Sequence, residues 1–140
     1  MERLKFLPLL GRILIGAPFV MSGLGKLGAY AATVGYIAAM GLPVPPLAFI
    51  VAVLTELGGG LLLLSGYRAR VVSLAMAVFC VVTAIFFHHN FADQNQMIHF
   101  LKNVMMAGGL LQITWFGAGA FSLDARSGRI VLRVSPLKAS

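Results

Sequence analysis

The stretch VAVLTELGGGLLLL, residues 51–64, sets one carboxylate, Glu56, in an otherwise apolar run and follows it with Gly58, Gly59 and Gly60. With its flanks it makes a predominantly apolar segment over 46–65, the length of roughly 20 residues that a helix needs to cross the hydrocarbon layer. A charge at the centre of such a helix costs about 2.5–3.5 kcal/mol on insertion scales, so Glu56 requires a partner inside the protein.

Three similar segments surround it, at about 7–26, 71–88 and 100–119. Across 140 residues, 59% are hydrophobic and only 11% charged, with a mean hydropathy of +0.93. That composition excludes an ordinary soluble domain. The expected fold is all-α, a transmembrane four-helix up-down-up-down bundle forming a single domain over 1–122, with a basic cytoplasmic tail over 123–140. Between the first two spans, Tyr30, Val34, Ile37 and Met40 recur at helical spacing, which predicts a short interfacial helix that GLPVPP (41–46) then ends.

The net charge of +7 reports topology, since no nucleic-acid-reading motif accompanies it and no nucleic-acid partner is expected. Arg3, Lys5, Arg68, Arg70, Arg126, Arg129, Arg133 and Lys138 fall on one side of the expected membrane, and Lys26 and Lys102 on the other. By the positive-inside rule both termini and the second loop are cytoplasmic. Arg12 interrupts the first apolar stretch, so the N-terminal segment is expected to be a span and not a cleaved signal. Cys80 is the sole cysteine, no Cys/His spacing of a metal site occurs, and no metal is expected.

Arg12, Gly16, Phe19, Gly23 and Lys26 follow one another at intervals of 4, 3, 4 and 3, which places two cations and two glycines on one face of the first helix. In the second span Gly59 and Gly60 share the side of Glu56, and glycines on facing sides let helix backbones approach closely. Counting inward from the cytoplasmic edge separates Arg12 from Glu56 by about 7 Å in depth, within reach of an arginine. The expected buried ion pair is therefore Arg12–Glu56. It is either an assembly latch or a proton-exchanging group beside a bound quinone or other small molecule; a neutral Glu56, or another partner for it, is the remaining reading. At the external mouth Lys26, His88, His99, Lys102 and Asn103 gather, as a ligand pocket or as wetted polar residues at the membrane edge. Gly109 lies on the Lys102 side of the fourth span and is expected to pack against a neighbouring helix.

The stretches RILIGAPFVMSGLGKL, GLPVPP, ELGGGLLLLSGYRAR and IHFLKNVMMAGGLL, in this order, resemble the DoxX family of small bacterial four-span membrane proteins over roughly residues 9–115. The matching positions are Arg12, Gly23, Lys26, Pro43, Glu56, Gly60, Lys102 and Asn103. The resemblance implies a multi-pass protein of the bacterial inner membrane. Some family members are named as small subunits of quinol- or thiosulfate-oxidising complexes. It therefore implies an accessory or quinone-site subunit of a membrane redox system, at most one subunit of an oxidoreductase, working with quinone and redox partner proteins and without a covalently held cofactor. A non-catalytic assembly or small-molecule permeation protein is the alternative. Catalytic residues are unassigned, and a homo-oligomer is compatible with either role.

Overall fold

The computed structural model describes residues 2–128, and every regular element among them is helical. A single 3-10 turn (Glu2–Leu4) leads into α1 (Leu7–Leu27). Then come α2 (Tyr30–Ala39), α3 (Pro45–Ser65), α4 (Ala69–Phe87), α5 (Gln94–Phe116) and the short α6 (Leu123–Arg126). Arg129, Arg133 and Lys138 of the expected tail lie outside the described residues.

The element boundaries have local causes. Pro45 and Pro46 open α3, where a fixed φ suits the first turn and no N–H is missed. Gly66 ends it at φ +68°, a left-handed conformation that glycine adopts without penalty. Asp93 caps α5 by accepting the N–H of Asn95 at 2.9 Å. The short helix expected between the first two apolar segments is α2. Its Ile37 packs with Phe49 and Val53 of α3, and Tyr36 stacks on Phe87 at the end of α4.

Long helices reverse direction along the chain. Residues near the start of α1 meet the end of α3, and Ser73 near the start of α4 hydrogen-bonds Thr114 near the end of α5 at 2.9 Å. The closest packing is within these two antiparallel pairs, α1 with α3 and α4 with α5. A shared core of Phe19, Leu63, Met76, Cys80 and Leu110 joins them. Glycine sets the α1–α3 distance. A Cβ at Gly60 would stand 2.8 Å from Cγ2 of Val20 and 3.1 Å from the Gly16 carbonyl oxygen, and one at Gly23 would stand 2.8 Å from the backbone N of Leu57. Gly59 does not share this interface as expected. It turns toward α4, against the sulfur of Met76, because one helical step rotates it about 100° from Gly60. Gly109 lies under Ile15 of α1.

Three helical stretches, Glu2–Leu27, Pro45–Ser65 and Ala69–Phe87, are long and apolar enough to cross a membrane. With 23 residues α5 has the length, but Gln94, Asn95, Gln96, His99, Lys102 and Asn103 in its first half hold its hydropathy below that of the other three. Large apolar side chains face outward: Leu14, Met21, Leu54 and Val71 are each about two-thirds exposed. A surface of that kind is suited to acyl chains and not to water.

Candidate functional site: a lysine–glutamate pair beside a cavity

Glu56 lies within a π-helical turn, Leu54–Gly58, inside α3. One wide turn of this kind inserts an extra residue into the helix, and such turns recur at functional positions. Here it accompanies a buried carboxylate directed at α1. Lys26 donates to both carboxylate oxygens, at 3.0 Å to Oε1 and 2.8 Å to Oε2. Ser22, one turn before Lys26, donates to Oε2 at 3.1 Å and accepts from the Lys26 ammonium at 3.0 Å. Glu56 is buried and Lys26 keeps 28% of its side chain exposed, so the pair is held by α1 and α3 but open on one flank.

Glu56 is thus paired, but not with Arg12. Each is satisfied elsewhere, and the reason is register. Ser22 stands level with Glu56, which leaves Arg12 ten residues further along α1, about 15 Å away at 1.5 Å per residue. The sequence-based depth of about 7 Å took the two helices to start at one level, whereas they are staggered. Arg12 is 1% exposed and spends its guanidinium on backbone oxygens. It donates to Leu63 at 3.0 Å and Leu64 at 2.8 Å from Nη1, to Ala118 at 3.0 Å from Nε, and to Phe121 from Nη2. The first two carbonyls close α3, where unpaired oxygens and the helix dipole favour a cation. The other two belong to the loop after α5, so Arg12 ties three segments together.

That loop was not legible as structure. Asp124, in the α6 that follows it, reaches back to the start of α4, accepting the N–H of Arg68 at 2.7 Å and of Ala69 at 2.8 Å. The carboxylate serves as the N-cap that Arg68, itself in a left-handed conformation at φ +47°, cannot supply.

Beside Lys26 and Glu56 opens a cavity of about 310 Å³. Phe19 of α1, Phe79 of α4 and Met106 of α5 supply its apolar wall. Ser22, Lys26, Glu56, Thr83, His88 and Asn103 supply its polar positions, and Pro18, inside α1, completes the lining. Of the residues expected at the external mouth, Lys26, His88 and Asn103 line this space. Lys102 and His99 do not. Both are exposed on α5, because the 100° step per residue that turns Asn103 inward turns Lys102 outward. His99 still reaches the rim, stacking on His88 with ring centroids 5.1 Å apart, and its carbonyl holds the Asn103 amide at 2.9 Å. His88 Nδ1 lies 3.3 Å from Oε1 of Gln96. Ser22, Phe79, Thr83 and Met106 were missed. Ser22 could have been found, as a hydroxyl one helical turn from Lys26 on a face already known to turn inward.

The hydrogen-bond inventory limits what the cavity can bind. All three Lys26 donors are occupied, by Ser22 and the two Glu56 oxygens. The carboxylate retains a free lone pair, and the Oδ1 of Asn103 remains an acceptor. Thr83 adds a hydroxyl that can donate or accept, and a ligand with an apolar ring and a hydroxyl to donate fits this set.

The DoxX family profile matches residues 7–89, the span that contains Lys26, Glu56 and most of the cavity. The inner membrane protein YqjF of Escherichia coli (strain K12) is 40% identical over 116 residues, covering 83% of this chain and 88% of its own length. The inner membrane protein YphA of the same organism is 35% identical over 123 residues, covering 84% and 88%. No solved structure matches.

Proposed function

The chain belongs to the DoxX family, and from that premise we propose that it is a multi-pass inner-membrane protein serving as an accessory quinone-site subunit of a membrane redox system. In this reading α5 is the fourth crossing, the four long helices run up-down-up-down, and both ends of the chain and the α3–α4 turn face the cytoplasm. The charge asymmetry favours that orientation. An apolar outer face on α5, with Leu101, Val104, Met105 and Leu111 all exposed, supports its contact with lipid.

The observation that carries the ligand assignment is the cavity: apolar walls from Phe19, Phe79 and Met106 around a Glu56 carboxylate already fixed by Lys26 and Ser22. Its volume is at the lower end of small-molecule sites, enough for one ring system with an attached chain leaving by the open side. A bound quinol would supply the electrons. The chain's own residues would bind its ring, accept its hydroxyl hydrogen bond at Glu56 and hold that carboxylate in place.

The test is direct. Protein purified in mild detergent is extracted and assayed for quinone, and a short-chain quinol and the matching quinone are titrated into stripped protein. The reading expects carried quinone, tighter binding of the quinol, and a loss of about tenfold in quinol affinity for Glu56→Gln, the worth of a hydrogen bond to a charged group. If the wild-type protein carries no quinone and binds neither form, the assignment fails and the non-catalytic assembly or permeation role takes its place.

A further inference from the structure

The end of the molecule opposite the cavity carries an unbalanced positive charge. The chain has four carboxylate side chains, and each is engaged. Glu2 pairs with Lys5, Glu56 with Lys26, Asp93 caps α5, and Asp124 caps α4. Asp124 is the carboxylate that lies beside Arg68, Arg70 and Arg126, so at this end one negative charge faces three arginines. Asp124 brings α6, and with it Arg126, against the start of α4 where Arg68 and Arg70 stand. The Arg70 guanidinium folds back over the end of α5, so that a Cβ at Gly117 would lie 3.4 Å from its Nε and 3.6 Å from its Nη2. Directly before Gly117 come Trp115 and Phe116, which are 74% and 72% exposed, and Phe121 in the following loop is 56% exposed.

Three exposed arginines beside three exposed aromatic rings make an amphipathic surface at one helix end. The rings are of the kind that sit at the boundary between acyl chains and headgroups, and arginines beside such rings are of the kind that meet lipid phosphates. We propose that this surface is a binding site for an anionic phospholipid, whose phosphate supplies the counter-charge for Arg68, Arg70 and Arg126 while its acyl chains lie along Trp115 and Phe116. The pairing of exposed arginines with exposed aromatic rings favours a lipid over an acidic protein partner, because a phospholipid offers an anionic phosphate and apolar chains together.

Trp115 is the chain's single tryptophan, so its fluorescence reports this surface without labelling. The wild-type protein is reconstituted into phosphatidylcholine vesicles containing a minor fraction of either brominated phosphatidylglycerol or additional brominated phosphatidylcholine at equal mole fraction. The proposal expects stronger quenching by the brominated phosphatidylglycerol, with the preference falling in high salt. It expects a loss of roughly fivefold in relative affinity for each of Arg68→Gln, Arg70→Gln and Arg126→Gln, and little change for Arg3→Gln. Equal quenching of the wild-type protein by the two lipids overturns the proposal, whatever the variants do. So does a preference that survives in the triple variant.

Discussion

Lys26 donates to both carboxylate oxygens of Glu56, at 3.0 and 2.8 Å, joining the C-terminal part of α1 to the π turn of α3. Removing either partner leaves the other partly buried and unpaired, a more damaging state than losing both. Lys26→Gln and Glu56→Gln are each expected to destabilise the protein, and the double variant less than their sum. The coupling should be about 1–2 kcal/mol for a pair with one exposed flank, measured as a double-mutant cycle on unfolding in detergent. The cycle of Arg12→Gln with Glu56→Gln should be additive, because those residues are far apart and share no partner. Coupling in the second cycle and not in the first would reverse the assignment.

Arg12 makes bidentate and forked contacts that a lysine cannot reproduce. Arg12→Lys is therefore expected to cost about 2–3 kcal/mol, nearly as much as Arg12→Gln, since several buried carbonyls lose a charged donor in both. The loop it holds, which includes Ala118 and Phe121, should become open to limited proteolysis in both variants. A fully stable Arg12→Lys protein with a protected loop would show that the fork is unimportant.

Glycines along α1 and α3 should separate into two groups. At Gly23 and Gly60 a methyl group would meet backbone at 2.8 and 3.1 Å, and the helices would have to part, at a cost of about 1–3 kcal/mol for Ala. Gly25 has open space around its Cβ position, so Gly25→Ala should be neutral or slightly stabilising. Thermal denaturation of the three variants distinguishes them, and equal effects would mean that the α1–α3 contact is looser than described.

Asp124 caps α4 from a distant part of the chain. Asp124→Ala should cost about 1 kcal/mol, in line with the loss of other N-caps, and Asp124→Asn less because it keeps one acceptor. Hydrogen exchange at Arg68 and Ala69 should rise in the alanine variant; unchanged exchange there would mean that other groups satisfy those amides.

The proposed fourth crossing makes a topological prediction. In a Cys80→Ala background, Ala92→Cys lies before α5 and Ser127→Cys after it. A membrane-impermeant maleimide added to spheroplasts should label position 92 and leave position 127 unlabelled until the cells are opened. Labelling of both from outside would place the two ends of α5 on the same side.

The membrane class, the helical fold, the short helix between α1 and α3 and the inward face of α1 were all legible in the sequence. Each follows from composition or from periodicity along one helix, and periodicity survives folding because side chains i, i+3 and i+4 stay on one side wherever the helix packs. The need of Glu56 for a partner was equally legible, since burying a lone charge is costly in any fold. Which partner it takes was not. That depends on the stagger between α1 and α3, which glycine contacts between helices determine and no one-helix pattern records. For the same reason the sequence does not distinguish Lys102, which faces outward, from its neighbour Asn103, which faces the cavity, and it does not reveal the Asp124 cap or the Arg12 carbonyl cradle. Both join residues more than fifty positions apart, and only the tertiary packing brings a charge in one segment to the unpaired backbone groups of another.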